Sequence, residues 1–154
     1  IFRPHFFMQN LLFATQTIKE QGAMYWGMGD GKMGLVDVRD LADSYAEVLV
    51  NGGHENKIYT LTGPESIDFY TMAKIISESI GKQVNYVAVT PDQVQESLIA
   101  MGAGEFAANL YRQYSIAYAA GWGDFTTNDV ETVSGHKSRS FKQFVDEVFA
   151  PMLK

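Results

Sequence analysis

Along the whole chain, short strand-like apolar runs take turns with stretches whose apolar residues recur every three or four positions. Strands alternating with helices pair in parallel, because each helix carries the chain back to the same end of a sheet. The class expected is therefore α/β, in one compact unit without internal repeat or linker. Helices are expected over residues 7–21 (Phe7, Leu11, Ala14 and Ile18 on one face), 41–50 behind an Asp40 cap, 67–80 behind Ser66, 91–101 behind Thr90-Pro91, and 105–120. A last helix follows Ser140, with Phe141, Val145, Val148 and Phe149 inward. Strands are expected over residues 1–3 (buried), 23–26, 35–38, 58–61 and 84–89, and a loop with little pattern over 121–133.

Composition narrows the function. Among 154 residues, 12 basic against 18 acidic side chains give a net charge of -6, which leaves no basic face for nucleic acid. With 46% hydrophobic and 19% charged residues, a disordered tail is excluded. Cysteine is absent, which removes thiol nucleophiles and zinc–thiolate sites and fits a cytoplasmic setting. No apolar run reaches the ~18 residues of a membrane helix, so no membrane partner is expected. The first residues, Ile1-Phe2-Arg3-Pro4-His5, have no leader layout and read like the interior of a longer protein.

Two strings imitate dehydrogenase signatures. Residues 29–34 spell Gly-x-Gly-x-x-Gly, but phosphate binding needs that string between a buried strand and the start of a helix. Here a strand is expected on both sides, so a hairpin turn is the reading. Tyr70 and Lys74 stand four apart, as in a phenol–lysine proton donor. They fall beside the apolar stripe Phe69, Met72, Ile76 and Ile80, so a surface pair is the reading. Asp37, Asp40 and Asp43 gather at a helix start and fit capping and an ion pair with Arg39. His54 lies in a polar turn and reads as solvent-exposed. Three distant histidines do not suggest a metal site, and no Gly-x-Ser-x-Gly elbow occurs. His5 follows the first strand, and ligands collect at the carboxyl ends of such strands. It is a site candidate, with packing as the alternative.

Residues 3–12, Arg-Pro-His-Phe-Phe-Met-Gln-Asn-Leu-Leu, resemble a segment of NmrA-like proteins. Gly29-Asp30-Gly31-Lys32 followed by residues 36–42 (Val-Asp-Val-Arg-Asp-Leu-Ala), then residues 53–65 ending in Thr62-Gly63-Pro64-Glu65, are similar to the next stretches in the same order. The resemblance implies an atypical short-chain dehydrogenase/reductase. This chain would be the C-terminal part of a Rossmann-like doubly wound sheet plus a small α/β substrate lobe, with the Gly-rich nucleotide-binding half absent. It implies NADP(H) or NAD(H) as cofactor, NADP(H) favoured, and a small-molecule acceptor. Some members are quinone, azo-dye or triphenylmethane reductases; others are sensors that bind the dinucleotide without turnover.

Carried over, the resemblance puts Pro4, His5, Phe6 and Phe7 beside the nicotinamide, with His5 as proton donor. Asn10, Trp122, Phe125 and His136 would belong to the substrate side. A hydride transfer to a flat acceptor such as a quinone is the function expected. The alternatives are a non-catalytic NAD(P)-sensing protein with a protein partner, and an inactive fragment. A homodimer is left open.

Overall fold

The computed structural model describes residues 1–153. Strand β1 (Phe2–Pro4) leads through a 3-10 turn (Met8–Ala14) into α1 (Thr15–Gln21), and β2 (Ala23–Trp26) follows. Then come α2 (Val38–Val50), β3 (Tyr59–Leu61), α3 (Phe69–Ile80), β4 (Asn85–Ala88), α4 (Pro91–Ala100) and α5 (Glu105–Ala119). The chain closes with α6 (Asp129–Ser134), α7 (Phe141–Phe144), a π-helical turn (Val145–Phe149) and α8 (Ala150–Leu153). The strands form two parallel pairs, β1 with β3 (Phe2 opposite Tyr59) and β2 with β4 (Ala23 opposite Asn85). The α/β class with parallel pairing is thus what the chain adopts. Among the described residues no helix is long and apolar enough to cross a membrane.

Several local expectations are corrected, each for a physical reason. In the first helix the 3-10 turn repeats every three residues, so Met8, Leu11 and Ala14 face the core and Phe7 does not start the stripe. The strand expected over 35–38 is reduced to single bridges, Val36 to Phe7 and Met33 to Ile67, because the helix already begins at Val38. Its cap is Asp37, whose carboxylate accepts from the Arg39 N–H at 2.9 Å. Asp40 sits one turn inside, fully buried. Helix α3 is capped by Asp68, not Ser66; the Ser66 hydroxyl instead donates to Asp124 at 2.7 Å. No hairpin joins residues 23–38, since β2 takes β4 as its partner. The patternless stretch 121–133 contains most of α6, started by Asp129 and stopped at Gly135.

The main core gathers Met8, Leu11, Ile18, Met24, Phe69, Met72 and Ile76 against Phe141, Phe144 and Phe149. The last helix therefore docks on α1 and α3. A smaller cluster, Val36, Leu41, Leu61 and Val130, lies under β1 and β3. Strand β1, expected to be buried, is mostly open: Ile1 is 75% exposed, and Arg3 and Pro4 are also exposed.

Candidate functional site

After β1 the backbone stays extended. His5 N–H donates to the Leu61 carbonyl at 2.9 Å, and Val36 N–H to the Phe6 carbonyl at 2.9 Å. Extended residues point alternately to opposite faces. Phe6 accordingly packs on the main core, edge-on to Tyr118 with ring centroids 5.8 Å apart, while Phe7 packs on the smaller cluster. The two phenylalanines grouped by sequence therefore part company.

The His5 ring lies between Phe125 (centroids 4.9 Å apart) and Tyr118 (5.8 Å), both edge-on. Its Nδ1 accepts from the Phe6 N–H at 2.7 Å. Burial pushes the imidazole down to about 4, against the smaller upward pull of a hydrogen bond with the Gly123 backbone. At neutral pH the ring is uncharged, and backbone groups occupy its polar atoms.

Tyr118, near the end of α5, forms the centre of the cluster. Helix α5 stops as Gly121 takes a left-handed φ of 86°, and the chain folds back so that Trp122 meets Tyr118 edge-on at 5.4 Å. The next residue must be small: a Cβ on Gly123 would overlap the Tyr118 ring. The loop is then tied to β3 and its turn. Thr127 N–H donates to the Thr62 hydroxyl at 2.8 Å, and the Thr127 hydroxyl donates to the Thr60 carbonyl. Thr60 N–H donates to the Asp129 carboxylate at 2.6 Å. Trp122, 61% exposed, and Phe125, 41% exposed, are thereby held at the surface beside a neutral histidine. The result is one aromatic wall, built of His5, Tyr118, Trp122 and Phe125.

The false nucleotide motif has a packing explanation. A side chain at Gly31 would strike the Tyr118 carbonyl, and one at Gly34 the Phe125 carbonyl. Those glycines admit the end of α5 and the 121–125 loop, not a phosphate. Most amides of the segment are also spent inside the protein. Gly31 N–H donates to Met28 (2.9 Å), Met33 N–H to Ile67 (3.1 Å) and Gly34 N–H to Gly123 (3.2 Å). The Met28 and Gly29 backbone hydrogen-bonds to the Tyr86 hydroxyl, which donates to the Trp26 carbonyl at 2.9 Å. The segment so disposed does not fit a pyrophosphate.

Other candidates lie elsewhere. Pro4 is exposed on β1, and Asn10 is half-buried in the 3-10 turn. His136 is not brought to the wall. Its Nε2 is 3.1 Å from the Asp43 carboxylate, beside the ion pair of Arg139 with buried Asp40. Asp40, Asp43 and His136 could converge on a cation, but the Arg139 guanidinium already bonds both carboxylates. Burial pushes the Asp40 carboxyl up, with Arg139 opposing. For Asp37, burial also pushes up, yet hydrogen bonds from Arg39 and Gln9 and the charge of Arg39 outweigh it and hold the carboxyl below its usual range. These acids are structural, as their position at a helix start suggested. His54, read as solvent-exposed, is half-buried and 2.9 Å from the Tyr59 hydroxyl. Tyr70 and Lys74 line a cleft of about 490 Å³ between α3 and β4, with Ser77, Glu78, Asn85 and Tyr86. None of the wall residues lines it.

Sequence reading missed Tyr118, Gly123 and the Thr60–Thr62 anchors. A signal for Tyr118 existed: Phe106, Leu110, Tyr114 and Tyr118 recur every four residues, one row along α5.

No protein-family model matches the chain. Over 146 residues it is 36% identical to the NAD(P)H azoreductase of Xenophilus azovorans, covering 92% of this chain and 50% of that protein. It is 23% identical to quinone oxidoreductase 2 of Escherichia coli over 149 residues, covering 97% of this chain and 52% of that protein. The structure superimposes on the E. coli NADPH-dependent quinone oxidoreductase complexed with NADPH with a TM-score of 0.84 at 23% identity, covering 96% of this chain and 52% of that one. With the Citrobacter sp. triphenylmethane reductase complexed with NADP(H), the TM-score is 0.73 at 28% identity over 90% of this chain and 47% of that one. The chain therefore has the fold of one half of a Rossmann-like quinone oxidoreductase, and it spans about half the length of the curated relatives it matches.

Proposed function

We propose that this chain supplies the acceptor-side wall of an NAD(P)H-dependent reductase of the NmrA-like type, and that the acceptor is a flat ring such as a quinone or a dye. One observation carries the reading. The end of β1 delivers a neutral histidine into a cluster of aromatic rings, two of them open to solvent, with no fixed charge among the four. Such a surface suits a planar, apolar molecule by stacking and burial. The azoreductase and quinone oxidoreductase relatives support the reading.

The dinucleotide, with NADP(H) favoured, would be gripped by polypeptide outside these residues, since the 29–34 segment spends most of its amides on the fold. When bound, it would supply a hydride. This chain's part is to hold the acceptor flat and keep water from the reacting face. His5 suits anchoring better than proton donation, the role its position suggested. It is neutral at pH 7, and joins the strand end to the loop that carries Trp122 and Phe125.

The test uses the full-length protein with NADPH and a panel of quinones and dyes, followed by cofactor absorbance. Cofactor oxidation with at least one planar acceptor is expected. Tight NADPH binding with no turnover on any acceptor would instead make the protein a sensor.

A further inference from the structure

We infer that the Tyr118 hydroxyl is the hydrogen-bond donor to an oxygen of the acceptor, so that the wall selects planar rings bearing a carbonyl. The inference rests on the acceptor-wall reading above. Tyr118 is only 6% exposed, and its ring is enclosed by His5, Phe6, Tyr114 and Trp122. A phenol so deeply placed ordinarily finds a partner for its hydroxyl. Tyr86, a similarly buried tyrosine on β4, does so by donating to the Trp26 carbonyl. Among the described residues, the Tyr118 hydroxyl has no such partner, and it is not sealed from solvent. The ring is buried among the rings of the wall while its one polar atom is left without a protein partner.

The protonation state suits a donor. Burial, with Tyr114 nearby, pushes the phenol up to about 12, so it keeps its proton at neutral pH. His5 cannot compete for that role, since its polar atoms face backbone. A hydride from reduced nicotinamide and one proton from solvent together convert a quinone to a hydroquinone. Negative charge gathers on the quinone oxygen as the hydride arrives, and a phenol donor there stabilises it without surrendering its own proton.

The experiment compares 1,4-naphthoquinone with naphthalene, a ring of the same shape without oxygens. Binding to the full-length protein is read from quenching of tryptophan fluorescence, with Trp122 on the wall, for the native protein and for Tyr118→Phe, which keeps the ring and its packing. Tyr118→Phe is expected to weaken naphthoquinone about 3- to 10-fold, the worth of one net hydrogen bond, and to leave naphthalene unchanged. Turnover with the quinone should fall through kcat more than KM. An equal loss for both rings, or no loss for either, overturns the inference and leaves Tyr118 a packing residue whose hydroxyl is merely hydrated. If the native protein binds neither ring, the acceptor-wall reading itself fails, and the inference falls with it.

Discussion

At His5 the environment decides the chemistry. A free imidazole titrates near 6.5, and burial beside Phe125 and Tyr118 brings this one to about 4. Because the folded value lies below the unfolded one, the unfolded chain takes up the proton first as pH falls. The stabilising preference for the neutral ring is complete above pH 6.5 and drains away between about 6.5 and 4. NMR titration of the ring protons should show His5 unchanged through pH 6, with its inflection near 4. An inflection at 6 to 7 would mean an open, solvated ring and no anchoring role. Nothing in the string Arg3-Pro4-His5 carries this information. The sequence located the histidine at a strand end; the neighbours that neutralise it come from residues more than a hundred positions away.

Among the elements, the 121–128 loop is the part that tertiary contacts define. Helices α2, α3, α4 and α7 each announce their start with a side chain that accepts from the first turn: Asp37, Asp68, Thr90 and Ser140. Thr90 was legible because its box with Gln93 is local, and so was Ser140. Asp37 and Asp68 were displaced by a few residues in the reading, because neighbouring Asp40 and Ser66 are equally good caps in isolation. Only contacts with Arg139 and Asp124 draw those two away. The loop itself has no periodicity to read, since its order comes from Thr60, Thr62 and Ser66. Gly123 is its tightest point. Gly123→Ala should cost about 1–3 kcal/mol by forcing the loop off the Tyr118 ring. Thermal unfolding would measure the loss, and an unchanged midpoint would show that the loop is not seated there.

On the scale of the whole molecule, the two parallel pairs leave open edges. Among the described residues β1 pairs only with β3, and Ile1, Phe13, Leu49 and Val50 present large apolar side chains to solvent. Open edges and apolar faces invite association. This chain on its own is expected to self-associate in light scattering at micromolar concentration. A stable monomer would show that β1 and its neighbours need no further cover.

The sequence by itself determined the alternation of strands and helices, the parallel class, most helix ends and the refusal of the Gly-rich string as a phosphate loop. Those properties rest on periodicity and on residues within a few positions of one another. Tertiary structure alone decided that Phe6 and Phe7 face different clusters, that His136 meets the Asp43 carboxylate beside an ion pair, and that Tyr118 is buried among the rings of the wall. Each of these depends on which distant segment arrives to bury a side chain. Burial sets both protonation and the supply of hydrogen-bond partners, and no local pattern encodes it.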